Sequence, residues 1–106
     1  TEWIEVIGIL LDNAIEASPK GSTIFLSSKK QGDFLELTVS NPAPPLSNTE
    51  FMALFGKGVT TKASRDGHGF GLYNILRMTE RYHGKILTRN ESILNENYVV
   101  FGILMP

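Results

Sequence analysis

Three glycines at alternate positions, in the segment Gly67–Leu72 (GHGFGL), stand directly before a stretch with helical periodicity. Glycine lets the backbone turn sharply and approach a ligand closely. The unpaired N–H groups and the positive dipole end of the following helix would point back at this loop. The arrangement suits a phosphate group, although the same pattern also marks an ordinary turn before a helix.

A second candidate residue is Asn13, which stands in the middle of a predicted helix beside apolar neighbours. Asparagine is a poor helix former. Its amide oxygen could bind a hard cation such as Mg²⁺, which takes few protein oxygens together with phosphate and water. Steps of about 100° per residue put Asn13 on one stripe with Glu5, Ile9, Asp12 and Glu16. A solvated helix face explains the two glutamates, but it does not call for an isoleucine.

The stretch from Leu46 to Asp66 is predicted to be a mobile lid, because loops of this length in compact domains usually serve binding. Its cations and hydroxyls, among them Lys62 and Arg65, could neutralise or donate to phosphate. They could equally keep a polar loop soluble. Phe55 is expected to anchor the lid to the core, whereas His68 could either donate to a phosphate oxygen or lie exposed.

Composition narrows the class of protein. The chain has 106 residues, of which 42% are hydrophobic and 20% charged, as in one soluble globular domain with one core. A net charge of −1 without a basic run argues against a nucleic-acid surface. The chain has no cysteine and no apolar run of membrane-spanning length, and residues 1–106 are not expected to contain a signal peptide. It starts at Thr1, within a helical pattern, and is expected to be a fragment of a longer protein.

Periodicity and turn residues predict two long helices, one short helix and two pairs of strands. The helices are expected at 3–17, 49–54 and 71–82, and the strands at 23–28, 34–40, 85–90 and 98–105. Asn41–Pro45 is expected to break the second strand, Gly84 to cap the last helix, and Glu91–Asn97 to be a polar connection. Such helices and hairpins can bury their apolar faces as a two-layer α/β sandwich.

Three segments together resemble a known family. Leu10–Ala17 (LLDNAIEA) resembles the N box of the ATPase superfamily that contains gyrase, the large heat-shock chaperone, histidine kinases and MutL (GHKL). Leu54–Lys62 (LFGKGVTTK) resembles its F box, and Gly67–Leu72 resembles its G2 box. Order and spacing also match, so the resemblance covers essentially the whole chain.

Within this superfamily the chain is most similar to the catalytic ATP-binding (HATPase_c) domain of sensor histidine kinases, in particular the peptide-sensing, quorum-type (AgrC/VirS-like) subgroup. The resemblance implies an α+β Bergerat fold, in which helices cover one face of a mixed, mostly antiparallel sheet. It also implies ATP and Mg²⁺ as cofactors, with Asn13 as the metal ligand. The nucleotide-binding residues that it implies are Asn13, Asn41, Lys62, Gly67, His68, Gly69, Phe70, Gly71 and Leu72.

The sequence departs from the family pattern at two positions. Superfamily members that hydrolyse ATP carry a glutamate one turn before the N-box asparagine, and many histidine kinases carry a second asparagine, but this chain has Ile9. Isoleucine can neither deprotonate water nor bind a metal. The G1 box normally reads Asp-x-Gly-x-Gly, with the aspartate accepting from the adenine amino group. Here the stretch reads VSNPAP, and Asn41 could accept only through an uncharged amide.

The resemblance implies transfer of the γ-phosphoryl group to a histidine on a dimerisation region that the chain lacks, with neither His68 nor His83 as the acceptor. Little turnover is expected from the chain alone. The implied partners are this region in a homodimer and a cognate response regulator, with no nucleic acid. The expected location is the cytoplasmic part of a membrane-anchored receptor. Two alternatives stay open: an anti-sigma-type protein serine kinase, and a degenerate domain that serves only as an interaction module.

Overall fold

A computed structural model describes residues 2–56 and 71–106. Across these residues the chain forms, in order, α1 (Glu2–Ala17), β1 (Phe25–Gln31), β2 (Phe34–Pro42), α2 (Asn48–Leu54), α3 (Gly71–Arg81), β3 (Lys85–Ile93) and β4 (Glu96–Met105). The predicted order of helices and strands is confirmed. None of these helices is both long and apolar enough to span a membrane.

The strands form a four-stranded sheet in the order β1-β2-β4-β3, and each neighbouring pair is antiparallel. The two hairpins end in tight turns: Gly32 has a φ of 58°, and Leu94 and Asn95 have φ of 53° and 63°. In the second turn, positive φ at both central residues suits a two-residue hairpin, because the twist of such a turn matches that of the strands. The α+β class is therefore confirmed, with only antiparallel pairs among the described residues.

The strands β2, β3 and β4 are longer than the sequence predicts, and β1 spans Phe25–Gln31 and not 23–28. Pairing of β3 and β4 extends to Ile93 and Glu96, so the expected polar connection is mostly strand. Exposed polar residues form a hairpin here because a two-residue turn brings their backbones together. The second strand does not break at Asn41 but runs through Pro42, which pairs with Tyr98 at its end. A proline is tolerated at the end of a strand, because its missing N–H removes only one hydrogen bond of the ladder there.

The end of α3 also differs from the expected glycine cap. His83, not Gly84, takes the left-handed conformation, with a φ of 61°. Gly84 is required for another reason: a Cβ there would lie 2.7 Å from the Leu104 carbonyl oxygen and would overlap the Met105 sulfur. The glycine thus allows the chain to enter β3 against the end of β4.

One hydrophobic core lies between the helices and one face of the sheet. Successive residues of a strand point to opposite faces, so every second residue of β2 and β4 contributes. The buried side chains of this core are Val6, Leu10 and Ala14 of α1, Phe51 and Phe55 in and after α2, Leu72 and Ile75 of α3, and Leu37, Val39, Val99, Phe101, Ile103 and Met105 of the sheet.

The first residue of α3 packs directly against α1. A Cβ built on Gly71 would lie 2.9 Å from Cγ2 of Ile9. Real Cβ atoms do not come this close, and a β-branched side chain has little rotamer freedom in a helix. The side chain of Ile9 therefore leaves room at this position only for a glycine, Gly71. The contact places the start of α3 beside α1, at a point one helical turn before Asn13.

We expect Gly102→Ala to lower the free energy of unfolding by about 1–3 kcal/mol, because its Cβ would crowd the neighbouring strand. That Cβ would lie 2.6 Å from Cγ2 and 2.9 Å from Cα of Thr38 on β2. Gly8→Ala is the matched control, since nothing lies within 4 Å of its Cβ. It should raise the stability by about 0.5–1 kcal/mol, as alanine is the better helix former. Urea unfolding followed by circular dichroism measures both changes, and equal effects would contradict the described pairing of β2 with β4.

A double-mutant cycle tests the contact between α1 and α3. Gly71→Ala should lower the free energy of unfolding by about 1 kcal/mol in the native background, because the new methyl group meets Ile9. In the Ile9→Ala background the same change should be neutral or stabilising, since the clashing atom is gone. Thermal and urea unfolding of the four proteins give the coupling energy. A coupling energy of zero would show that α3 does not start against Ile9.

Candidate functional site

A cavity of about 460 Å³ opens between α1, the end of β2 and α2. This volume falls within the range of small-ligand sites in proteins. Apolar side chains make up most of the wall, and few polar groups reach it. The lining residues are Asn13, Ala17, Asn41, Ala43, Pro44, Pro45, Leu46, Glu50, Ala53, Leu54, Val99 and Phe101.

Asn13 reaches the cavity from the middle of α1. Its side chain is half-buried, and Ala17, one turn further along the same helix face, lines the cavity beside it. Asp12 is exposed and does not line the cavity. Asparagine is disfavoured within a helix, and Asn13 places a polar amide at the rim of this cavity.

Asn41 also lines the cavity, near the end of β2. Only 2% of its surface is exposed, and its backbone pairs with Val99 of β4. The side-chain Nδ2 donates to the Pro42 carbonyl oxygen at 3.4 Å, a long contact. Within the described part of the chain this is the one hydrogen bond of that amide. Its remaining hydrogen-bonding capacity is available to a ligand in the cavity.

Two further asparagines hold the proline-containing wall in place. Asn90 of β3 forms a pair of hydrogen bonds with Leu46, accepting from its N–H at 3.0 Å and donating to its carbonyl at 2.8 Å. Nδ2 of Asn97 donates to the Ala43 carbonyl oxygen at 2.8 Å. Neither residue was predicted from the sequence to contribute to the site. Asn90 carried a signal, because asparagine is disfavoured within a strand unless its side chain is used. Asn97 carried none, since it fell in the expected polar connection.

The short helix α2 forms the remaining wall. A capping box begins it: Ser47 Oγ accepts from the Glu50 N–H at 3.1 Å, and Glu50 Oε1 accepts from the Ser47 N–H at 2.9 Å. These hydrogen bonds favour the carboxylate and hold the pKa of Glu50 below its ordinary value. The helix therefore starts at a fixed point, directly after the wall that Asn90 and Asn97 secure.

Aromatic packing attaches α2 to the sheet. The ring centroids of Phe51 and Phe55 lie 5.5 Å and 5.9 Å from that of Phe101 on β4. Both rings are buried. The prediction that Phe55 anchors this region to the core is thus confirmed, and Phe101 belongs to both the core and the cavity wall.

The structure brings together part of the predicted site. Asn13 and Asn41 line the same cavity, and Gly71 starts α3 against the helix that carries Asn13. Leu72 is buried in the core and does not line the cavity. His83 lies exposed at the far end of α3. Lys62, Gly67, His68, Gly69 and Phe70, with residues 57–66 of the predicted lid, lie outside the described residues.

The side chains of the described residues suit a metal ion that is bound together with a ligand. They do not suit a metal ion held by the protein alone. Between residues 2 and 56 and between 71 and 106, no group of three His, Cys, Asp or Glu side chains could hold a metal ion. A single amide oxygen at a cavity rim is instead the contribution that Mg²⁺ takes from a protein when phosphates and water supply the other ligands. Asn13 fits that role.

Comparison with known proteins agrees with this architecture. A family model described as the GHKL domain matches residues 1–106. The sensor histidine kinase CitA of Klebsiella pneumoniae is 33% identical over 107 aligned positions, which cover 97% of this chain and 18% of CitA. Sensor protein PhoQ of Escherichia coli is 32% identical over 105 positions, covering 95% of this chain and 21% of PhoQ. The chain thus spans about a fifth of the length of these relatives.

A solved structure shares the fold. The mycobacterial sensor histidine kinase MprB superposes with a TM-score of 0.80 at 18% identity, covering 96% of this chain and 68% of that one. Since the family model covers every residue, the chain belongs to the GHKL domain family, and it resembles the corresponding domain of sensor histidine kinases.

Proposed function

We propose that this chain binds Mg²⁺–ATP in the cavity and donates the γ-phosphoryl group to a histidine on a separate dimerisation domain. One observation carries the proposal: two amides from distant parts of the sequence, Asn13 and Asn41, line one largely apolar cavity. The start of α3 lies against α1 within a helical turn of the first amide. Few, well-placed polar groups in an apolar cavity are typical of a cofactor site.

The two ends of the cavity would bind different parts of the nucleotide. The apolar wall around Val99, Phe101 and Leu54 suits a flat base, and Asn41 would hydrogen-bond its edge. Asn13 would hold Mg²⁺ against the phosphates near the positive dipole end of α3. Lys62 and the backbone of the loop 67–71 are proposed to complete the phosphate end.

The chemistry of the site favours transfer over hydrolysis. Bound Mg²⁺ neutralises phosphate charge, so the protein contributes mainly position and electrostatic stabilisation. Ile9, one turn before Asn13, contacts Gly71 and has no group that could deprotonate a water molecule. An acceptor on another domain is therefore the better partner for the γ-phosphoryl group, and the chain alone should turn over little ATP.

The proposal places residues 1–106 as one domain of a longer, membrane-anchored receptor with the catalytic part in the cytoplasm. The acceptor histidine would lie on the receptor's own dimerisation region, and a response regulator would take the phosphoryl group next. The N box together with the two residues before it, GILLDNAIEA, supports placement in the peptide-sensing, quorum-type subgroup. The residues encoded before Thr1 in the native gene distinguish this proposal from an anti-sigma-type serine kinase. An exposed histidine on a helix there would support the histidine kinase, and its absence would support the serine kinase.

A non-binding interaction module is the other alternative, and direct binding measurements separate it from the proposal. Isothermal titration of the chain with ATP should give measurable heat with Mg²⁺ and weaker binding after chelation with EDTA. Asn13→Ala should weaken Mg²⁺–ATP binding by at least about tenfold and remove most of the dependence on Mg²⁺, because it deletes the proposed ligand.

Asp12→Ala is the matched control, since it removes an exposed carboxylate one residue away that does not line the cavity. It should leave the affinity within about twofold of the native value, as expected of a surface change. Absence of heat at millimolar nucleotide, with the native circular dichroism spectrum intact, would reject the proposal in favour of the interaction module.

A further inference from the structure

The base end of the cavity contains one deeply buried polar side chain. Asn41 is 2% exposed, and the lining residues nearest to it along the chain and across the strand pair are apolar, Ala43, Pro44 and Val99. The two other polar side chains of the wall differ from it. Asn13 is half-buried on α1, and Glu50 is exposed and uses a carboxylate oxygen to cap α2. A bound base would therefore present its polar edge to Asn41.

From this placement we propose that Asn41 makes the cavity accept guanine as well as adenine nucleotides, so that Mg²⁺–GTP binds with an affinity close to that of Mg²⁺–ATP. This inference rests on the proposed nucleotide site. It concerns which base that site selects, and it depends on the chemistry of a single side chain.

An amide carries a donor and an acceptor, and rotation by 180° about its last side-chain bond exchanges them. Adenine presents an amino donor at position 6, and guanine presents a carbonyl acceptor there. Oδ1 of Asn41 can accept from the adenine amino group, and Nδ2 can donate to the guanine carbonyl. A carboxylate at the same place accepts only, so it would pair with adenine and repel guanine.

The present contacts of Asn41 leave both orientations open. Its amide is held by the long 3.4 Å contact from Nδ2 to the Pro42 carbonyl, which contributes little to a fixed orientation. The hydrophobic wall cannot choose between the bases, because both purines have the same flat ring system. Discrimination by a buried polar group arises when the wrong ligand leaves that group unpaired, and an amide that turns avoids this penalty.

The experiment compares dissociation constants for Mg²⁺–ATP, Mg²⁺–GTP and Mg²⁺–ITP by isothermal titration of the native chain and of Asn41→Asp. Inosine shares the position 6 carbonyl of guanine but lacks its 2-amino group, so it separates the effect of position 6 from that of size. Work at about pH 8 favours the ionised form of the introduced carboxylate. Asn95→Asp, at the exposed turn between β3 and β4, makes the same chemical change away from the cavity.

In the native chain and in Asn95→Asp, the three nucleotides should bind within about tenfold of one another. Asn41→Asp should increase the ratio of GTP to ATP dissociation constants by about tenfold or more, with ITP following GTP. Binding of ATP with GTP and ITP more than a hundredfold weaker in the native chain would overturn the inference. If Asn41→Asp does not fold, the native ratios decide alone. Failure of all three nucleotides to bind would instead reject the proposed function.

Discussion

The candidate site depends on the packing of two phenylalanines against a third. Phe51 and Phe55 bury their rings against Phe101, and this contact attaches α2 to the sheet. A helix of 7 residues is not stable by itself in water, so its position has to come from tertiary contacts. Because Phe101 also lines the cavity, the same ring joins the core to the site. Loss of this packing would remove one wall of the cavity.

The cavity relies on amides where a charged site would use carboxylates. Asn13 and Asn41 face it, and Asn90 and Asn97 hold its proline-containing wall by hydrogen bonds to backbone groups. Burying an amide with partial hydrogen bonding costs far less than burying an unpaired carboxylate. The arrangement therefore keeps a largely apolar cavity stable without a ligand. It also gives the cavity walls polar groups that can both donate and accept.

Much of the fold was readable from periodicity, since α1, α2 and α3 begin and end close to their predicted bounds. The strands were less predictable. Polar residues of Glu91–Asn97 are paired in a hairpin because the positive φ of Leu94 and Asn95 closes a two-residue turn. Local composition gives no sign of this. Gly84 looked like a helix cap, but its role is steric and depends on Met105, which lies far along the chain.

By itself the sequence determined the residue types, three boxes in order, and thus the family and the identity of Asn13 and Asn41 as candidate ligands. These signals are local, since each box lies within one short segment. Only the tertiary structure decided which residues share a cavity, because Asn13 and Asn41 meet through the packing of a helix on a sheet. It likewise showed that Ile9 is matched in size to Gly71, and that Asn90 and Asn97 support the cavity wall. Such contacts join residues distant in sequence, so no local pattern encodes them.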